Sequence, residues 1–267
     1  MNLYQKYTVG KFYKTVPGKV FTQNIDWQKI KDKLLIMTVS YNNANVIRQQ
    51  IRFVKKNIKD EYVYIIADNS SDKAKRSEIQ ILCKETNTGY ISLPPNPFST
   101  SSDSHAVALN WLFKNIVSVY QPAFFGFIDH DIYPVKPHSV TDLMAAQPFY
   151  GLIQQRENYW YLWPGLCFFK KEAYNNREFD FMPCVSNGIR LDTGGALCDI
   201  LFHTFNKDSV KFPTQVYENI REGEVFQSDK IELIGNWLHS FNGSYWMQVK
   251  DKEDVLNKVL DNYYNNS

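Results

Sequence analysis

Four short apolar runs, each ending abruptly in polar residues, constrain this chain more than any other feature. The first, Leu34-Leu35-Ile36-Met37-Thr38-Val39-Ser40, is nearly uninterrupted, as expected of a strand covered on both faces. Tyr62-Val63-Tyr64-Ile65-Ile66-Ala67 is the second, Tyr90-Ile91-Ser92-Leu93 the third and Phe124-Phe125-Gly126-Phe127-Ile128 the fourth. Segments of helical spacing lie between them. Asn43 is placed to cap a helix reaching to around Asn57, whose apolar face is Val46, Ile47, Ile51, Val54 and Ile58. Asp68-Asn69-Ser70-Ser71-Asp72 caps a second helix, over 73–86. A loop of Pro94-Pro95-Asn96-Pro97 and serines leads to a third, over 104–117, with Ala108, Leu112 and Ile116 on one face and Trp111 beside them. Strand–helix–strand–helix–strand order calls for a parallel sheet with right-handed crossovers. The expected fold is α/β, a central and mostly parallel sheet flanked by helices.

The second half is less regular. Strands are expected over 149–155 and 166–170, separated by an aromatic loop, Tyr159-Trp160-Tyr161-Leu162-Trp163-Pro164-Gly165. Asn187-Gly188-Ile189-Arg190-Leu191-Asp192-Thr193-Gly194-Gly195 reads as a loop leading into a helix over 196–205. A final strand over 231–238 delivers His239, and an amphipathic helix over 251–264 closes the chain before a short Asn-rich tail expected to fray. Together these make a smaller mixed sheet. Residues 1–32 alternate Lys with Tyr and Phe around Pro17-Gly18, an irregular arm packed on a single domain that spans 33–267.

Composition narrows the functional classes. The net charge of +2 provides no strong basic field, so nucleic acid is not an expected partner. Aromatic residues reach 15%, which suits stacking on sugars or nucleobases, although most such rings fill cores. Cys83, Cys167, Cys184 and Cys198 show no C-x-x-C spacing and read as reduced thiols rather than a disulfide framework or zinc site. No apolar stretch is long enough to span a bilayer, and residues 1–10 carry no apolar signal core. A cytoplasmic location is expected, with membrane contact at most peripheral to the inner face, through surface such as residues 4–19.

The fourth run turns acidic at once, into Asp129-His130-Asp131, before Ile132-Tyr133-Pro134. Carboxylates at a buried strand end are unfavourable unless their charge is compensated. A divalent cation with oxygen ligands would do so; so would a turn in which both Asp accept backbone hydrogen bonds. The residues alone leave both readings open. His130 between them is expected to face away.

Val39-Ser40-Tyr41-Asn42, Asp68-Asn69-Ser70-Ser71-Asp72 and Asp129-His130-Asp131 stand at three strand ends in the order and spacing of a GT-A glycosyltransferase. The first two resemble the V-x-Y-N and D-N-x-S-x-D openings of family 2 enzymes, the third their D-x-D motif. The resemblance covers roughly residues 34–135. It implies a GT-A, Rossmann-like fold in which 33–135 bind the nucleotide sugar and 136–267 the acceptor. It also implies a hexosyltransferase-type enzyme that moves a sugar from a nucleotide-sugar donor to a hydroxyl of a glycan or lipid-linked saccharide, as in polysaccharide biosynthesis, with Mn²⁺ or Mg²⁺ as cofactor. By the same resemblance Ser40, Tyr41, Asn42, Asp68, Asp129 and His105 contact the donor, while Asp129, Asp131 and a late histidine, His239, hold the metal. His239 is equally readable as a hydrogen-bonded structural residue.

An inverting transfer needs a base for the acceptor hydroxyl. The family pattern E-D is missing here, and Asp192 occupies the comparable place; its alternative is the cap of the following helix. Trp160, Tyr161, Trp163 and Glu157 are the expected acceptor platform, and the aromatics are equally readable as core. The rivals to this function are a nucleotidyltransferase, weakened by the absence of a Gly-rich basic loop after the first strand, and a non-catalytic nucleotide- or carbohydrate-binding protein.

Overall fold

A computed structural model describes residues 3–220, 230–241 and 251–266. The strands are β1 (Thr22–Gln23), β2 (Leu34–Ser40), β3 (Tyr62–Asp68), β4 (Gly89–Ser92), β5 (Phe124–Ile128), β6 (Ile132–Pro134) and β7 (Phe149–Arg156). Beyond them come β8 (Tyr159–Lys170), β9 (Cys184–Ser186), β10 (Ile189–Leu191), β11 (Gln215–Asn219), β12 (Lys230–Ile234) and β13 (Trp237–His239). Seven form one sheet in the order β1-β4-β3-β2-β5-β8-β7. The inner four, β4, β3, β2 and β5, run parallel, and β1 and β8 flank them antiparallel.

Strand β2 shows why an uninterrupted apolar run is needed. Every residue in it is buried. Leu34 and Ile36 point to the face covered by helices Ala44–Asn57 and Lys73–Glu85. Leu35, Met37 and Val39 point to the opposite face, where helix Ser101–Leu112 packs with Val107, Trp111 and Leu112. Both helices of the first face start where the sequence places them: Asn43 accepts from the amides of Asn45 and Val46, and Asp72 from those of Ala74 and Lys75. Full burial of a Val, Leu, Ile, Phe or Met side chain is worth about 1.5–3 kcal/mol, so this two-sided core dominates the fold's stability.

The structure corrects several expectations. The arm is more ordered than its composition indicates: Leu3–Tyr13 is a helix, Phe12 enters the core, and β1 extends the main sheet. The aromatic stretch is not a loop but the first half of a twelve-residue strand, β8, paired with β7. Its aromatic side chains favour extended backbone and find a core to fill. Residues 231–238 are not one strand; Gly235, at φ +59°, turns the chain between β12 and β13. Residues 187–191 belong to the β9–β10 hairpin, whose two-residue turn, Asn187-Gly188, has both φ angles positive, at 47° and 81°. The final helix continues through the Asn-rich tail, Lys252–Asn266.

The smaller sheet, β11-β12-β13-β6, is antiparallel throughout. Phe53 and Val46 of helix Ala44–Asn57 pack with Tyr133 and Leu238 of this sheet and with Leu256 and Leu260 of the closing helix. Strand β6 follows β5 after only three residues, so the small sheet is anchored beside the acidic strand end. All four cysteines are free thiols. Among the described residues, no helix is long and apolar enough to cross a membrane.

Candidate functional site

A cavity of about 1090 Å³ lies beyond the carboxyl ends of β2, β3 and β5, where an open parallel sheet binds its ligands. Its floor is the acidic strand end. The backbone there is held on both sides: the Gln50 amide donates to the carbonyls of Asp129 (2.6 Å) and Ile132 (2.8 Å), and the Ser240 N–H donates to the Asp131 carbonyl at 3.0 Å. One donor atom each from Asp129, His130 and Asp131 lies within 4.8 Å of the others. His130 therefore faces the acidic pair and lines the cavity, contrary to the expectation that it turns away. Burial pushes the Asp129 carboxyl up, but the nearby imidazoles of His105, His130 and His239 outweigh that and hold it below the usual range.

His239 stands at the end of β13 with Nε2 3.7 Å from Asp131 Oδ1. Trp163 and Phe241 flank its ring at centroid distances of 5.0 and 4.4 Å. Two carboxylates and two imidazoles thus converge on one cavity wall, a mixed oxygen and nitrogen donor set that fits a divalent cation such as Mn²⁺.

The loops after β2 and β3 form a second wall. Asn42, at φ +51°, donates its backbone N–H to Ser70 Oγ at 2.8 Å and accepts from the Asp72 amide at 3.3 Å. Tyr41 Oη and Ser71 Oγ are 3.0 Å apart, so the two loops are cross-tied. Tyr41, Asn69, Ser70 and Ser71 line the cavity; Ser40, Asn42 and Asp68 stand behind this wall rather than in it. Asp68 is fully buried, its oxygens occupied by the Ser70 N–H and the Tyr90 hydroxyl, both at 2.9 Å. Burial outweighs these bonds and pushes its carboxyl up. These bonds tie the loop after β3 to β4.

His105 lines the cavity from the first helical turns after the serine run, and burial pulls its imidazole below the ordinary range although Asp129 pulls the other way. Ser101 and Ser102, expected in a loop, instead start helix Ser101–Leu112, and with Ser104 they face the same space. Asn69, from the Asp68–Asp72 cluster, lines it too, as does Asn96, which no local signal in the sequence singles out. The Asn69 amide donates to Ser104 Oγ at 3.0 Å, and the Asn96 amide donates to Asn69 Oδ1 at 3.0 Å, fixing the loop to the wall.

Asp192 is exposed in the cavity. Its Oδ1 accepts from the adjacent Thr193 N–H at 2.8 Å, while Gly194, at φ +86°, sits at the start of the following helical turn without a side-chain cap. The carboxylate is therefore not consumed as that helix's cap. A Cβ on Gly194 would lie 2.7 Å from Pro164, so a glycine is needed to bring the Asp192 turn against β8. Of the expected acceptor residues, only Trp163 reaches the cavity. Trp160 is 4% exposed and packs on Phe149; Tyr161 is buried, donating to Gln154 Oε1 and accepting from the Asp192 N–H. Glu157 is exposed at the β7–β8 turn, φ +51°, outside the cavity lining. Three consecutive residues, Trp160, Tyr161 and Leu162, are buried, so both faces of this strand are covered and most of the aromatic stretch enters the core.

No protein-family model matches the sequence, and no curated protein matches it. Among solved structures, the chain is similar to the mannosyltransferase PcManGT from Pyrobaculum calidifontis, determined in complex with GDP-Man and Mn²⁺, at 12% identity and a TM-score of 0.39. That match covers 65% of this chain and 53% of the other. It is also similar to S. aureus TarS, at 15% identity and a TM-score of 0.37, over 56% of this chain and 30% of that one. The chain thus spans about half the length of the first and under a third of the second.

Proposed function

We propose that the protein is a metal-dependent glycosyltransferase of the GT-A type, moving one sugar from a nucleotide-sugar donor to a hydroxyl acceptor. The observation that carries this reading is the joint lining of one strand-end cavity by Asp129, Asp131, His239 and Asp192. An acidic floor suits a cation and the diphosphate it would neutralise, and the half-buried Tyr41 on the facing wall offers a ring to a nucleobase. A Mn²⁺ or Mg²⁺ held by Asp129 and Asp131 would supply the Lewis acid that stabilises charge on the departing nucleoside diphosphate.

This chain's residues then divide the work. Asp192 takes the proton from the acceptor hydroxyl as its oxygen bonds to the sugar C1. The C1–oxygen bond to the diphosphate breaks, its electron pair leaving with the phosphate. Attack from the face opposite the leaving group inverts the anomeric centre. Trp163 offers an apolar face to the sugar or acceptor beside His239. A saccharide acceptor, free or lipid-linked, suits this wall, and a cytoplasmic supply of nucleotide sugar suits the donor.

Asp192→Asn is the test. Turnover, followed as release of nucleoside diphosphate from a nucleotide-sugar panel with saccharide acceptors, should fall about 10²–10³-fold while donor affinity stays within threefold. A non-catalytic binding protein would show no turnover in the unsubstituted chain. A nucleotidyltransferase would release pyrophosphate from a nucleoside triphosphate and a sugar phosphate. Full turnover in Asp192→Asn would remove the assigned base.

A further inference from the structure

His239 enters the cavity wall from the small sheet, and what orients its ring lies on the strand before it. In the β12–β13 hairpin Glu232 stands directly opposite His239, with Oε2 2.9 Å from Nδ1. Glu232 is 3% exposed, a buried carboxylate between Ile231 and Leu233 of β12. Its other oxygen accepts a 2.6 Å bond from the Gln215 amide on β11. Isolating a carboxylate in such a strand is costly, and a neutral residue would pair the hairpin more cheaply. An ionised carboxylate can only accept, so the ring donates: Nδ1 carries hydrogen toward Glu232, and Nε2 is the atom turned to Asp131.

The remaining contacts fix the same orientation. Trp163 and Phe241 lie against the ring. His239 pairs with Ile132 of β6, and Ser240 donates to the Asp131 carbonyl, so imidazole and carboxylate are tied to one stretch of backbone. Hydrogen bonding of a ligating histidine's second nitrogen to a carboxylate sets the tautomer and the direction of the metal-binding lone pair.

We infer that Glu232 is a positioning residue of the metal site, holding His239 in the tautomer and orientation that present Nε2 beside Asp131 as a further donor to the cation. This rests on the metal-dependent reading above. Gln215 extends the device: the chain Gln215–Glu232–His239 crosses three strands of the small sheet and ends at the cavity.

The test is a double-mutant cycle read by the affinity for Mn²⁺ alone, followed through the paramagnetic resonance of the free ion. Melting of each protein in metal-free buffer is recorded alongside. In Glu232→Gln the amide keeps the size and hydrogen-bonding capacity of the carboxylate, so melting is expected to hold, but it can turn either its oxygen or its NH₂ to Nδ1 and no longer dictates the tautomer. Mn²⁺ affinity should fall about tenfold, within the range for loss of such a partner. His239→Ala should weaken binding at least as much, and the double variant no further than His239→Ala. Wild-type Mn²⁺ affinity in Glu232→Gln, or penalties that multiply in the double variant, would overturn the positioning role. Loss of binding in Asp131→Asn would at the same time preserve the metal site. No Mn²⁺ binding by the unsubstituted chain, or none lost in Asp131→Asn, would instead overturn the metal reading itself.

A second readout needs no substitution at Glu232. With diamagnetic Zn²⁺ as probe, the nitrogen-15 imidazole spectrum, assigned by the signals absent from His239→Ala, should show Nε2 shifting on metal addition while Nδ1 keeps its hydrogen. Metal on Nδ1, or a ring unaffected by the ion, would contradict the inference.

Discussion

The cavity's two walls are built differently. One consists of turns that directly follow parallel strands, cross-tied by Tyr41 to Ser71 and by Asn42 to Ser70 and Ser71. The other collects Trp163 from β8, Asp192 from the turn after β10 and His239 from β13, three separate stretches brought together by antiparallel pairing. In the first wall a side chain's position is set by the strand before it. In the second it is set by how sheets dock, with β6 as the joint. Under the proposed function, the first wall suits fixed recognition of a common group, and the second concentrates the charged and aromatic residues that transfer and acceptor choice would require.

That division makes separable predictions. The largest effect belongs to the acidic floor shared by both walls: Asp131→Ala should lower sugar transfer at least about 10³-fold, roughly 4 kcal/mol of barrier, in a saturating-donor assay. A loss under tenfold would detach the second wall from the reaction. On the first wall, Tyr41→Ala removes a ring worth about 0.5–1.5 kcal/mol in stacking, so the donor KM should rise about three- to tenfold with kcat little changed. A drop in kcat with constant KM would show that the two walls do not divide binding from chemistry.

The smallest effect lies at the other end of the sheet and serves as a control. Asp60 is partly buried, which raises its carboxyl. Hydrogen bonds from Thr141, the Val140 amide and Ser139 outweigh that and hold it below the usual range. A depressed carboxylate adds stability that is fully present above its unfolded value and disappears as pH falls through the folded one. Between about pH 5 and pH 3 the wild-type melting temperature should therefore approach that of Asp60→Asn. A constant gap between the two proteins would contradict the assignment, and neither wall's activity should respond to this substitution.

The same contrast explains which parts are legible from residues alone. Strands β2, β3 and β5 and the Asn43 and Asp72 caps are local: apolar run, polar stop, capping side chain. Asp129 and Asp131 are legible for the same reason, as carboxylates at the end of such a run. Trp160 and Tyr161 are not, because neighbours on a strand face opposite ways and both faces of β8 are covered here, which aromatic character alone does not reveal. The pairing of β7 with β8 is not written in either segment alone. Ser40 and Asp68 sit at true strand ends yet point behind the wall, since side-chain direction depends on the succeeding turn. Glu232 does leave a trace, a lone acid between apolar neighbours of a strand. Its meaning appears only when the hairpin at Gly235 sets it across from His239.

The most direct test of the proposed metal-supported donor site is calorimetric titration of UDP and GDP into the wild-type chain with and without Mn²⁺. Binding of one nucleoside diphosphate should strengthen at least about tenfold with the ion and lose that gain in Asp131→Ala. Equal affinity in the presence and absence of Mn²⁺ would contradict a cation held between the acidic strand end and the diphosphate.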